Sequence, residues 1–327
     1  MADRITIEAR SPGLSAAGVT CVVTLPTFRR PDHLRLTLAS LAAQATDRRF
    51  AVIVMENDDE RLEGLAVARA VLAEGRMRGL SLVAHERGNC SAYNAGWSTA
   101  LAEFPDMTHL LVIDDDEIAE PDWLETLVST AERLPADIVG GPQVAVFDGV
   151  AQTHLSRHPV FQAHYEATGP VPILFSSGNV VIARAVLERM GAPFLDTAFN
   201  FIGGGDSDFY SRCARAGFSF GWCREARVLE TTPRRRLEFS WLNARALRNG
   251  ALSSIIERRR GAGAAPATLQ RLAKSGALLA ASPLRAALLA LKSGSPVIGL
   301  YPMQVAVGRL MAEFGIVNEQ YRRPEQN

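Results

Sequence analysis

The chain has 327 residues, 47% of them hydrophobic, with 35 Lys/Arg against 35 Asp/Glu. That length and composition fit a folded protein with a substantial core, as one large α/β domain or as a domain with an appendage. The zero net charge is unevenly spread: residues 1–233 hold 20 Lys/Arg against 30 Asp/Glu, net −10, and residues 234–309 hold 13 against 2, net +11. The basic third suits an anionic lipid surface, a nucleic acid or a phosphorylated substrate. No recognition module accompanies the basic residues, so sequence-specific nucleic-acid binding is not expected. Cys21, Cys90, Cys213 and Cys223 show no CxxC pair or zinc-ligand spacing and read as free buried thiols in a reducing cytosol. No apolar leader precedes the first strand, which predicts no export.

Thr20 to Leu25 is a β-branched run ending at Pro26-Thr27, and leucines at 34, 38 and 41 predict a helix after Pro31-Asp32. Ala51 to Met55 repeats the strand pattern before Glu56-Asn57-Asp58-Asp59, and Leu62 to Leu72 reads as the next helix. Leu80 to Ala84 is a third strand, Ser91 to Leu101 a third helix, and Leu110 to Ile113 a fourth strand. Three strand-helix units with short links predict a parallel sheet with right-handed crossovers and a ligand site at its carboxyl edge. Neither GxGxxG nor GxxxxGK[ST] occurs in the first loop, so a nucleotide must be held by other means.

The fourth strand stops abruptly in Asp114-Asp115-Asp116-Glu117, with Pro121-Asp122-Trp123 just after. Carboxylates so close repel unless a cation sits among them, and hard oxygen ligands suit Mg2+ or Mn2+ bridging to a nucleotide diphosphate. The competing reading is the acidic first turn of a helix.

Ile138-Val139 and Val144 to Phe147 read as strands, His154 to Pro172 as irregular, and Asn179 to Ile182 as a strand before a helix from Arg184, which predicts a mixed sheet edge. After a loop from Phe194 to Gly205, a helix runs from Asp206, placed as its N-cap, to Ala216. Helices are expected at Leu237 to Arg260, Leu269 to Leu291 and Gln304 to Phe314, with a small-residue linker at Gly261 to Pro266. The longest uncharged stretch of this third, Ser293 to Gly308, is too short to span a bilayer and predicts a segment lying on one. The triple arginines at 234–236 and 258–260 read as solvated faces, with Arg245 and Arg248 as candidates for a pyrophosphate.

With these pieces in order, the chain resembles inverting family-2 glycosyltransferases of the GT-A fold, most closely the bacterial branch that builds exopolysaccharide repeat units such as succinoglycan. Leu25 to Pro31 resembles the PTYxRP loop, Val54 to Asp58 the VVDN strand end, and Gly88 to Gly96 the G-x-S-A-R-N-x-G element. Asp114-Asp115-Asp116 matches the DxD-type motif, Ser177-Gly178-Asn179 the donor-sugar segment, Gly203 to Phe209 G-G-E-D-x-D-F, and Val228 to Pro233 V-x-E-H-x-P. Tyr93, Gly205 and Thr231 depart from the arginine, glutamate and histidine of those motifs.

The resemblance implies a Rossmann-like, mostly parallel sheet flanked by helices, with a catalytic domain over 1–236 and a basic amphipathic helical extension over 237–327. It implies Asp206 as catalytic base, Asp116 and Asp114 as metal ligands, and Pro26, Thr27, Arg29, Glu56, Asn94, Asp114, Asp115, Gly178 and Asn179 around the nucleotide sugar. Asp208 reads as a first-turn carboxylate beside Asp206. The expected cofactor is Mg2+ or Mn2+. The expected partners are a nucleotide-sugar donor, UDP favoured, a saccharide or polyprenyl-diphosphate-linked acceptor, and an anionic membrane surface. The competing function is a non-catalytic sugar-nucleotide-binding subunit, and a nucleotidyltransferase ranks last because its glycine-rich first loop is missing.

Overall fold

The computed structural model describes residues 5–147, 154–261, 265–317, 319 and 322. Strand β1 (Ile5–Arg10) and β2 (Cys21–Thr27) precede α1 (Pro31–Ala42); β3 (Phe50–Glu56) leads to α2 (Glu63–Ala73), β4 (Gly79–Ala84) to α3 (Asn89–Glu103), and β5 (His109–Ile113) to the carboxylate run. Then follow β6 (Glu117–Ala119), α4 (Trp123–Arg133), β7 (Ile138–Gly140), β8 (Gln143–Phe147), β9 (Gly169–Val171), β10 (Asn179–Ala183), α5 (Arg184–Met190), α6 (Gly205–Arg215), β11 (Phe220–Trp222) and β12 (Val228–Thr232). The C-terminal region is helical: α7 (Phe239–Arg260), α8 (Ala265–Ser293), the single turn α9 (Pro296–Gly299) and α10 (Tyr301–Glu313).

Among the described residues the main sheet has nine strands, ordered β1-β4-β3-β2-β5-β10-β7-β11-β9, and a second sheet is ordered β6-β12-β8. The block β4-β3-β2-β5 is parallel. Beyond it β10 runs antiparallel to both β5 and β7, so the sheet as a whole is mixed. The antiparallel edge strand β1, paired with β4, carries no signal in the sequence pattern used above; its residues are only partly buried, so the alternation is weak.

The central strands are apolar throughout because both of their faces are covered. Ala51, Ile53, Met55, Leu110 and Val112 point into one core layer, and Val52, Val54, Leu111 and Ile113 point into the other. Period-two alternation splits a continuous apolar run between two layers. Each of the Val, Leu, Ile and Met side chains among them contributes about 1.5–3 kcal/mol by leaving water.

In the strand order 4-3-2-5, successive crossovers move outward from β2 on one side and the chain then returns to place β5 on the other. A crevice opens at such a reversal, outside the carboxyl ends of the two strands. Here those ends are Thr27 and Ile113, and Asp114 begins immediately after.

Two expectations change. The acidic run is followed by β6, not by a helix, so helix-dipole stabilisation does not account for it. The uncharged stretch Ser293 to Gly308 is packing surface: Ile298, Gly299, Ala306 and Gly308 are buried. A Cβ on Gly308 would lie 2.0 Å from the Leu247 carbonyl and one on Gly250 would lie 2.0 Å from that of Val305, so α7 and α10 touch backbone to backbone. The predicted linker falls in part on residues 262–264, outside the described residues.

Candidate active site

The carboxyl ends of β2 and β5 are tied directly. Thr27 Oγ1 donates to Asp115 Oδ2 at 2.9 Å, and Thr37 Oγ1 of α1 donates to the Asp115 carbonyl at 2.9 Å. Arg30 Nη1 reaches Asp115 Oδ1 at 3.2 Å and Asp116 Oδ2 at 2.7 Å. Burial pushes the Asp115 carboxyl up to about 6, against the pull of Arg30.

Asp114 is held from the opposite side. The Tyr93 hydroxyl donates to its Oδ1, and its own backbone N–H donates to Glu117 Oε2 at 2.8 Å. Burial, then the charge of Asp116, pushes Asp114 up to about 7. Burial and Asp114 hold Glu117 well above the ordinary range, and burial raises Glu230 although Arg236 pairs with it at 2.6 Å. Four carboxylates therefore penalise one another's charge in one small volume, as expected of a site completed by a cation.

These residues open onto a cavity of about 940 Å³ whose wall includes Pro26, Thr27, Asp114, Asp115, Asp116, Asn179 and Asp206. The sequence-derived set thus divides. Arg29 does not line the cavity. Its backbone is left-handed at φ +56°, and its guanidinium pairs in a bidentate fashion with Asp58 at 2.7 and 3.1 Å, so Arg30 is the arginine that faces the carboxylates. Glu56 is also outside the wall and fully buried: its carboxylate accepts the N–H groups of Asp58 and Leu65, both at 2.9 Å, and so caps the start of α2. Asn94 is turned away too, exchanging hydrogen bonds with the Leu195 carbonyl and N–H at 2.7 and 2.8 Å. It secures the loop that leads to Asp206.

Gly178 backs the site without lining it. A Cβ there would lie 2.4 Å from Gln143 Nε2, 2.6 Å from Glu117 Oε1 and 2.9 Å from Asp114 Oδ2. Asn179 is a brace: Oδ1 accepts from Trp123 Nε1 at 2.8 Å, and Nδ2 donates to the carbonyls of Ala226 and Pro142 at 2.8 and 3.1 Å.

Asp206 stands in the first turn of α6, and the N-cap is Gly204, not Asp206 as the sequence predicted. Gly204 has φ +87°, a conformation that glycine adopts without the Cβ penalty and that swings the chain into the helix. This frees the Asp206 carboxylate from capping, apart from a 2.7 Å bond from the Ser207 N–H. Burial raises its carboxyl above the ordinary value, against that N–H and the charges of Arg248 and Arg245. Asp208 is committed elsewhere, to Arg212 at 2.9 Å and Arg259 at 3.6 Å.

The departures from the motifs have local reasons. Tyr93 supplies a neutral donor to Asp114 in place of a cation. A side chain at Gly205 would begin 2.5 Å from Cys90 Sγ. Thr231 meets the acidic run through its backbone, donating to the Asp116 carbonyl at 2.8 Å.

Several functional candidates escape the sequence reading. Arg236 is not a solvated face: its side chain is 14% exposed, lines the cavity and lies 4.0 Å from Asp116. Trp241 stacks on Phe161 at 5.9 Å with the planes 5° apart, and the guanidinium groups of Arg236 and Arg245 lie over its ring at 5.6 and 5.9 Å. Phe161 comes from the segment read as irregular, and no periodicity marks it.

Among the described residues, no group of three His, Cys, Asp or Glu converges as a metal cage. Asp114 and Asp116 still fit Mg2+ or Mn2+, because such ions take one or two carboxylates and complete their shell with water and substrate phosphates. The mutual repulsion of the carboxylates favours that charge.

A sequence profile described as Glycosyl transferase family 2 matches residues 22–191. The succinoglycan biosynthesis protein ExoM of Rhizobium meliloti (strain 1021) is 32% identical over 238 residues, 68% of this chain and 71% of that protein. Among solved structures, the mannosyltransferase PcManGT of Pyrobaculum calidifontis in complex with GDP-Man and Mn2+ aligns with a TM-score of 0.59 at 17% identity, over 94% of this chain and 90% of that one. TarS 1-349 of S. aureus in complex with UDP aligns at 0.51 and 12% identity over 90% of each chain. The last two show the shared GT-A-like fold.

Proposed function

The chain belongs to glycosyl transferase family 2, and on that premise we propose that it moves a sugar from a UDP-sugar to a saccharide on a polyprenyl diphosphate, in bacterial envelope polysaccharide synthesis. The observation that carries this reading is that Asp206 and the Asp114-Asp115-Asp116 run line one cavity at the switch point of the sheet. The likeness to a succinoglycan biosynthesis protein supports the polysaccharide setting, and the UDP complex of a structural neighbour supports the donor class.

Residues 1–236 form the catalytic domain on this reading, and 237–327 a basic helical extension that adds Trp241, Arg245 and Arg248 to the cavity. Asp116 and Asp114 would hold a divalent ion, which would supply Lewis-acid neutralisation of the departing diphosphate. Arg30 and Arg236 bring further positive charge to the same carboxylates. Asp206 takes the proton of the acceptor hydroxyl as it attacks the anomeric carbon opposite the leaving nucleotide, and one displacement inverts the configuration. Burial raises the Asp206 carboxyl above the ordinary value, which makes its carboxylate a stronger base than that of an exposed aspartate. Phe161 and Trp241, which both line the cavity, make its wall aromatic on the side assigned to the acceptor. The setting is cytoplasmic, peripheral on the inner face of the cell membrane.

The test is release of nucleotide from UDP-, GDP- and dTDP-sugars, with and without Mn2+, by the protein and by Asp116→Ala and Asp206→Asn. Metal-dependent release from one donor is expected, with a loss of about 10²–10⁴-fold in Asp206→Asn while calorimetry still detects donor binding. Tight binding without turnover across saccharide acceptors points instead to a binding subunit, and absence of binding to every donor overturns the reading.

A further inference from the structure

Helix α8 is inside out for a soluble protein. The fully buried positions are polar or small, Arg271, Ser275, Ser282 and Ala286, flanked by half-buried Leu278, Leu279 and Leu289, whereas Leu269, Leu272, Leu284, Leu288 and Leu291 are exposed. At about 100° per residue these five leucines fall in one arc of roughly 160°, filled in by alanines. The last three are 68%, 58% and 82% exposed. Water-facing apolar surface of this extent marks an interaction site.

We propose that α8 docks on an anionic lipid bilayer, lying in its interface with the leucine arc among the acyl chains; the inference rests on the membrane-proximal setting proposed above. Three observations select this occupant. Arg285 and Lys292 follow one edge of the arc, with Lys274, paired to Glu257 at 2.9 Å, on the same edge, and no Asp or Glu occurs in residues 265–293, so the helix presents apolar surface bordered by cations. Thr268–Ser293 is long and apolar enough by length and composition to cross a membrane, with 17% of its apolar window buried. Crossing is opposed by the polar face: Arg271 pairs with Glu313 of α10 at 2.9 Å, and Arg309 Nε donates to Ser275 Oγ at 3.3 Å. A spanning pose breaks these bonds and takes Arg271 into hydrocarbon, whereas a surface pose keeps them. Lys274 also lines the catalytic cavity, so docking sets the cavity mouth beside the headgroups, where a lipid-linked saccharide is presented.

The experiment is flotation of the full chain with vesicles of phosphatidylcholine, alone or with about 30% phosphatidylglycerol, comparing the protein with Leu284→Glu/Leu288→Glu/Leu291→Glu and with Arg285→Glu/Lys292→Glu. Flotation is expected with the anionic vesicles, released by alkaline carbonate. The triple variant should bind about tenfold or more weakly, and the charge variant should lose the preference for anionic lipid, both with unchanged melting temperature. The proposal is overturned by absence of flotation, by undiminished binding of the triple variant, by resistance to carbonate, or by leucine-dependent self-association without vesicles, which assigns the face to a second copy. Donor turnover in the same samples separates the two readings: flotation without turnover sinks the transferase assignment alone, and turnover without flotation sinks the docking surface alone.

Discussion

Arg30 donates from Nη1 to Oδ2 of Asp116 at 2.7 Å, so a guanidinium grips the carboxylate expected to bind a metal. The two side chains are 20% and 8% exposed. The pair neutralises part of the acidic run, and it occupies the oxygen that a divalent ion on Asp116 would need.

Removing that guanidinium should therefore make the protein depend on metal for stability. Arg30→Ala is expected to lower stability by about 2–3 kcal/mol without divalent ions, somewhat less than a fully buried pair because Arg30 is partly solvated. Mn2+ should raise the melting temperature of the variant more than that of the parent. Equal Mn2+ responses in a thermal shift assay would show that arginine and metal do not share the site.

Glu56 separates a structural from a binding role. Because its carboxylate accepts the Leu65 N–H at the start of α2 and the Asp58 N–H of the preceding turn, Glu56→Ala should cost about 1–3 kcal/mol of stability by leaving those donors unpaired. The donor KM should stay unchanged. A tenfold rise in KM at normal stability would return Glu56 to the nucleotide.

The close approach at Gly178 predicts the reverse pattern. A methyl group there must displace Gln143, Glu117 or Asp114, so Gly178→Ala should weaken donor binding about tenfold or more, as a misplaced contact does in a preorganised site. Calorimetry with UDP and Mn2+ reads this directly, and unchanged affinity would mean that the carboxylates yield without consequence.

The raised carboxyls set a pH dependence for the metal-free protein. Asp114 titrates near 7 in the fold against an ordinary 3.8, so the folded state binds the proton more tightly than the unfolded chain. Its stabilising contribution is complete below about pH 4 and is lost as pH rises through about 7. Melting temperature in EDTA should fall from pH 5 to 8, and Asp114→Asn should flatten the slope. Saturating Mn2+ should flatten it as well, because the cation favours the ionised carboxylate. A slope indifferent to both changes would locate the titrating group elsewhere.

The sequence by itself determined the parallel strand-helix block, the placement of Asp114-Asp115-Asp116 at the end of β5, the family resemblance and the separation of acidic and basic regions, because these follow from local periodicity and residue order. It also pointed to Asp206, although the cap position belongs to Gly204, whose backbone angle no pattern of residue types reveals. Only the tertiary structure decided which neighbour of a pair faces the site. Arg29 and Arg30 are adjacent in one motif, and a single left-handed backbone turn sends one to Asp58 and the other to Asp116. Likewise Glu56 and Asn94 lie in the expected segments but are used by backbone groups, those of Asp58 and Leu65 and of Leu195, while Phe161 converges on the cavity with Arg236 and Trp241 from a stretch far from theirs in sequence. The same limit applies to α8: its leucines are legible as a helical stripe, but only packing against α10 decides that its polar face is inside. Local physics fixes an element and its pattern, whereas long-range packing selects the partner that each side chain meets.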